Sequence, residues 1–258
     1  MDLNARYRRR CLGPALVFAA ALAVAGCGPS GGSAAGSPAS SAGNASAASS
    51  HSASPAQNGS GTAVSLDNYP IGVGNTWVYQ NSLGGTVTNK MIAVTPVSTG
   101  TQVTETNDID LTAGAPTTNQ EVYVFNNDGS ITYPTSQFGS SVSVQGGIAW
   151  PTPAEIASGQ PYTSTLQITI NQGQAQTETA HVTVQGAGSA SVTVPAGTYS
   201  TQIVDMTMAT TVQGYSVNIE VQTWLANGVG PVQSQVTTTE LGTSHVADEL
   251  KLQSFTKG

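Results

Sequence analysis

The chain has 258 residues, of which 8% are charged, with 7 Lys and Arg against 14 Asp and Glu and a formal net charge of −7. Soluble domains carry about 25% charged residues, so a coiled coil or helical repeat, which needs Glu and Lys in quantity, is excluded. All four Arg precede residue 11; residues 28–258 hold only Lys90, Lys251 and Lys257 against 13 acids, cannot lay a basic track along phosphates, and so are no nucleic-acid binder.

In chain order, residues 1–26 read as a lipoprotein signal peptide. Arg6 to Arg10 form a basic leader, and the apolar stretch from Leu12 to Val24 is shorter than the roughly 20 residues of a membrane span. It ends in Val24-Ala25-Gly26-Cys27, which resembles the lipobox of bacterial lipoproteins. The resemblance implies that Cys27 is acylated and becomes the first residue of the mature protein. It also implies an extracytoplasmic protein, anchored to the bacterial cell membrane or the outer membrane. Two linked acyl chains give the stable hold that one does not. Cys11 is lost with the leader, so no intramolecular disulfide is available to the mature chain.

Residues 27–63 read as the lipidated Cys and a flexible tether. Of the 35 residues from Gly28 to Thr62, 30 are Ser, Ala, Gly or Pro, a composition with almost nothing to bury. Its root-mean-square span is roughly 30 to 36 Å. Residues 64–258 are then a single globular domain.

In that domain, period-two alternation predicts strands with one buried face. Six strands precede Pro151: Thr76 to Gln80, Thr86 to Val97, Thr101 to Thr106, Gln120 to Phe125, Ser130 to Tyr133 and Ser141 to Gln145. A short helix is expected over Thr152 to Ala157. Seven strands follow: Thr163 to Asn171, Gln176 to Gln185, Ser189 to Val194, Ser200 to Val212, Ser216 to Leu225, Pro231 to Glu240 and His245 to Phe255. Turn signals at Leu83-Gly84-Gly85, Asn127-Asp128-Gly129, Asn171-Gln172-Gly173, Gly186-Ala187-Gly188 and Asn227-Gly228 separate them. Thr, at 33 positions, suits pleated surfaces. The expected fold is all-β: an antiparallel, meander-like sheet, either a curved half-barrel or a two-sheet sandwich, with at most one or two short helices.

Three phrases carry a second resemblance: Tyr69-Pro70-Ile71-Gly72-Val73-Gly74-Asn75-Thr76-Trp77-Val78-Tyr79, Val194-Pro195-Ala196-Gly197-Thr198-Tyr199, and Trp224-Leu225-Ala226-Asn227-Gly228-Val229-Gly230-Pro231-Val232. Their order and spacing are similar to uncharacterised secreted bacterial β domains and envelope lipoproteins, some of which resemble the half-barrel of outer-membrane lipoprotein carriers. The resemblance implies a fold and a compartment, and carries no catalytic residue.

Residues suited to catalysis are scarce in the domain. There is no free Cys and no Gly-x-Ser-x-Gly elbow, and His181 and His245 are the only bases for a nucleophile. No zinc or phosphate-loop spacing occurs. Asn107-Asp108-Ile109-Asp110 and Asn126-Asn127-Asp128-Gly129 carry hard oxygens but lack the EF-hand spacing, and read as hairpin or loop chemistry. The expectation is a non-enzymatic domain with no cofactor and no metal. Its leading reading is a lipid-anchored envelope protein that binds a lipid or other hydrophobic ligand. Met206 and Met208, adaptable side chains on an apolar face, and Trp224 and Trp150 are the candidate contacts. The alternatives are a surface adhesion or polysaccharide-contact module using exposed aromatics, and a structural spacer or assembly subunit.

Overall fold

The computed structural model describes residues 69–258 apart from 113–114, 133–134, 139–141, 173, 213–214 and 241–242. The leader, Cys27 and the tether lie outside the described residues. Among the described residues fourteen strands follow in chain order: β1 Thr76–Asn81, β2 Gly85–Val97, β3 Gly100–Leu111, β4 Thr117–Asn126, β5 Ile131–Thr132, β6 Thr135–Phe138, β7 Val142–Gln145, β8 Ile148–Trp150, β9 Tyr162–Gln172, β10 Gln174–Val194, β11 Gly197–Val212, β12 Tyr215–Ala226, β13 Gly230–Glu240 and β14 Thr243–Thr256. The helix α1, Pro153–Ser158, stands between β8 and β9. Thr152 caps it in a capping box with Glu155.

All the strands belong to one antiparallel sheet in the order β3-β2-β1-β14-β13-β12-β11-β10-β9-β7-β6-β4-β5-β8. Runs β1 to β4 and β9 to β14 are meanders in which each strand pairs with the next, and β14 pairs with β1 to join the two runs. At the other flank β4 meets β6 through one described pair, Gln120 with Gln137. The β3–β4 pairing brings the sheet round on itself, and the round of strands is completed only by the single described Gln120–Gln137 pair between β4 and β6. It is one curled sheet, so of the two expected forms the two-sheet sandwich drops out.

The buried face follows the alternation read from the sequence. Leu166 and Ile168 of β9, Ala180, Val182 and Val184 of β10, Val204, Met206 and Met208 of β11, and Ile219, Val221 and Leu225 of β12 all pack into one apolar cluster. Trp77, Tyr79, Val87, Met91, Val103, Ile109, Leu250 and Leu252 form a second, and Phe125 packs against both. Asn218 and Glu220 face outward.

Four strand expectations are corrected. β3 runs on through Leu111, so Asn107 to Asp110 are ladder residues rather than a loop. β10 is continuous across Gly186-Ala187-Gly188, where the register against β11 slips between Gly186 and Ser189, so the glycines make a bulge rather than a turn. β6 and β8 are additional short strands in a stretch whose brevity hides any period. The Asn127 to Gly129 turn is as expected: Asp128 Oδ1 accepts from the Ser130 amide at 2.9 Å and hydroxyl at 2.7 Å.

Candidate functional site

The inner face of β1 to β4 is apolar by position but not by composition. On β3, Val103, Glu105, Asn107 and Ile109 all point inward, and all four are buried. On β2 the inward series is Val87, Asn89 and Met91. Two polar residues on β3 and one on β2 therefore occupy places that strand periodicity assigns to the core.

The register brings them together. Asn107 stands opposite Asn89 on one side and Asn119 on the other, and Glu105 stands opposite Met91 and Glu121. Directly opposed cross-strand residues have Cβ atoms about 4.5 to 5.5 Å apart. Glu105 is 4% exposed, and Glu121 and Asn107 are 0% exposed. Val87 and Ile109 pair on the flank of the asparagine row, and Val103 faces Tyr123 beyond the glutamates. Trp77 of β1 lies across from Asn89.

Most polar groups nearby are anchored. The Trp77 indole donates to the Val229 carbonyl at 2.6 Å, and the Tyr79 hydroxyl to the Pro231 carbonyl at 3.0 Å. The Tyr123 hydroxyl donates to Glu121 Oε2. Against that background, Asn89 Oδ1, both side-chain polar atoms of Asn107 and Glu121 Oε1 are buried without a partner. Each such atom costs about 1 to 3 kcal/mol, so four in one patch mark a place built for something other than packing.

Electrostatics agree. Burial pushes the Glu105 carboxyl up to about 8. Burial also raises Glu121 well above the usual carboxylate range, with the Tyr123 hydrogen bond working the other way and Glu105 adding to the rise. Tyr79 is raised by burial, then by Tyr69 and Glu105 nearby. The three lysines are not buried, and Lys251 is paired with Glu249 at 3.0 Å. Carboxyls this enclosed cannot touch a sugar or peptide substrate, so the pair lacks the access a hydrolase needs.

The residues singled out from sequence lie elsewhere. Met206 and Met208 are 5% and 1% exposed and belong to the first apolar cluster, against which the half-buried Trp150 packs. Trp224 packs against the second cluster instead, so the structure groups three of the four and separates the last. His181 is exposed on β10, and Asp108 and Asp110 face outward from β3. Among the described residues no three His, Cys, Asp or Glu side chains gather. Also among them, no helix is long and apolar enough to cross a membrane.

Sequence reasoning placed Glu105 and Glu121 within strands but ended β3 at Thr106, and so left Asn107 and Ile109 out of the series that marks the patch. The available signal was the in-phase series Val103, Glu105, Asn107, Ile109, polar in its middle and apolar at its ends.

Two solved structures share this fold. One is a protein of Parabacteroides distasonis provisionally named a lipoprotein, 15% identical with a TM-score of 0.55, the match covering 76% of this chain and 100% of that one. The other, from Bacteroides fragilis, is provisionally named an exported protein with a YmcC-like fold; it is 15% identical with a TM-score of 0.52 and the same coverage. No curated protein matches. The family model described as DUF3108-like matches residues 79–237, well over half of the sequence, and the chain belongs to that family.

Proposed function

We propose that this is a lipid-anchored cell-envelope protein whose β domain works as a non-enzymatic binding module held off the membrane by a neutral tether. The observation that carries the reading is Val24-Ala25-Gly26-Cys27 at the end of a basic and apolar leader. Support comes from two proteins of the same fold that are named as a lipoprotein and an exported protein. A hydrophobic ligand is the finer form of the proposal. Such a guest would sit against Met206 and Met208 of the first apolar cluster and Trp150, which packs against that cluster, and would enter where β4 and β6 meet at one described pair. Trp224 would serve a separate surface contact.

The anchoring test is metabolic labelling of the full-length chain in a bacterial host fed an alkyne analogue of palmitate. The wild type is expected to take up label and to be cleaved before Cys27, and Cys27→Ala to lose the label and retain its leader. An unlabelled wild type, or equal labelling of both chains, overturns the reading.

A further inference from the structure

We propose that Glu105, Glu121, Asn89 and Asn107 form a buried binding site for one divalent hard cation, calcium by its ligand chemistry. The four side chains share the inner face of three adjacent strands and are held in register by direct pairing of Asn89 with Asn107 and of Glu105 with Glu121. Oxygen dominates the unpartnered atoms: Asn89 Oδ1, Asn107 Oδ1 and Glu121 Oε1, with the Asn107 amide nitrogen the exception. These atoms belong to side chains no more than 5% exposed, so bulk water is not their partner.

Charge and ligand type narrow the occupant. A divalent ion entering the site displaces the protons that burial holds on Glu105 and Glu121 and neutralises the two negative charges left behind, which a monovalent ion does not. The set contains no sulfur and no imidazole, so it does not suit zinc or copper. Calcium accepts carboxylate and amide oxygens in irregular arrangements, and two carboxylates with two amides can supply up to about six oxygens. Magnesium keeps several waters, which suits an enclosed site poorly. The Tyr123 hydroxyl, bonded to Glu121 Oε2, orients that carboxylate. Asp108 and Asp110 point to the opposite face and take no part.

The proposal is independent of the anchoring reading, since the site stands whether or not Cys27 is acylated. Its test uses the full-length chain purified in detergent and stripped with a chelator. Terbium, a calcium mimic excited through Tyr79, Tyr123 and Trp77, is expected to luminesce at one ion per chain. Calcium should displace it, and magnesium at equal concentration should not. Glu105→Gln and Glu121→Gln keep side-chain volume and remove one charge each; either is expected to weaken calcium binding at least about tenfold. Absence of terbium and calcium binding at millimolar concentration overturns the proposal. Equal displacement by magnesium overturns the calcium assignment. Unchanged binding by the doubly substituted chain also overturns the site. Should the variants fail to fold, the thermal midpoint of the wild type decides: a rise with calcium is expected, and no rise refutes it.

Discussion

Burial and hydrogen bonding pull the Asp248 carboxyl in opposite directions. Burial raises it, the Ser82 hydroxyl at 3.0 Å and the Asn81 amide at 2.9 Å lower it, and the result is about 6. The folded chain thus holds this proton more tightly than an unfolded one. The stability it contributes is present below the ordinary carboxylate range and is lost as pH rises through about 6. The loss should be on the order of 2 kcal/mol, since a tenfold change in proton affinity on folding is worth roughly 1.4 kcal/mol. Urea midpoints measured from pH 4 to pH 7 should fall for the wild type and fall less for Asp248→Asn; equal slopes would show that another group is responsible. At this scale the sequence was least legible. Nothing local to Asp248 or Glu121 announces burial, and Glu105 shows it only through the phase it shares with Val103 and Ile109.

Among the elements, β9 to β12 were readable because one face of each is buried and the other solvated, so hydropathy alternates cleanly. β10 was harder, since Gly186 and Gly188 have the composition of a turn. Its pairing with β9 ends at Val184 opposite Tyr162, while pairing with β11 continues to Val194. Beyond Val184 the short α1 covers the strand: a Cβ on Gly186 would lie 2.1 Å from the Ile156 carbonyl oxygen. Ile156, in turn, is buried in the first cluster. The glycine is there for close approach, which composition cannot distinguish from a bend. Gly186→Ala should destabilise the domain by about 1 to 3 kcal/mol through overpacking, read by urea denaturation. A variant as stable as the wild type would mean that α1 is not seated on this strand.

For the molecule as a whole, the all-β class and the meander were legible from composition and turn spacing, but the pairing of β1 with β14 was not. Thr76 lies opposite Thr256, and Trp77 stacks on Phe255 with ring centroids 5.0 Å apart. No local pattern encodes a partner at the other end of the chain. β14 also pairs with β13, so it is the staple between the two meanders. Deleting residues 243–258 should leave β1 and β13 each with an open edge and abolish the cooperative unfolding transition seen by circular dichroism. A truncated chain that still unfolded cooperatively would show that the meanders are separate folding units.

The same pairing fixes when the fold can finish. β1 emerges well before β14, whether from the ribosome or across a membrane, so until β14 follows it β1 has an unoccupied row of amides and carbonyls along one side. Contacts this distant in sequence form slowly. An open strand edge meanwhile accepts strands from other chains. A halt just before β14 is therefore more hazardous for this molecule than one in the middle of the domain. It holds an almost complete sheet with an adhesive rim, ready to recruit a second nascent chain in place of its own last strand.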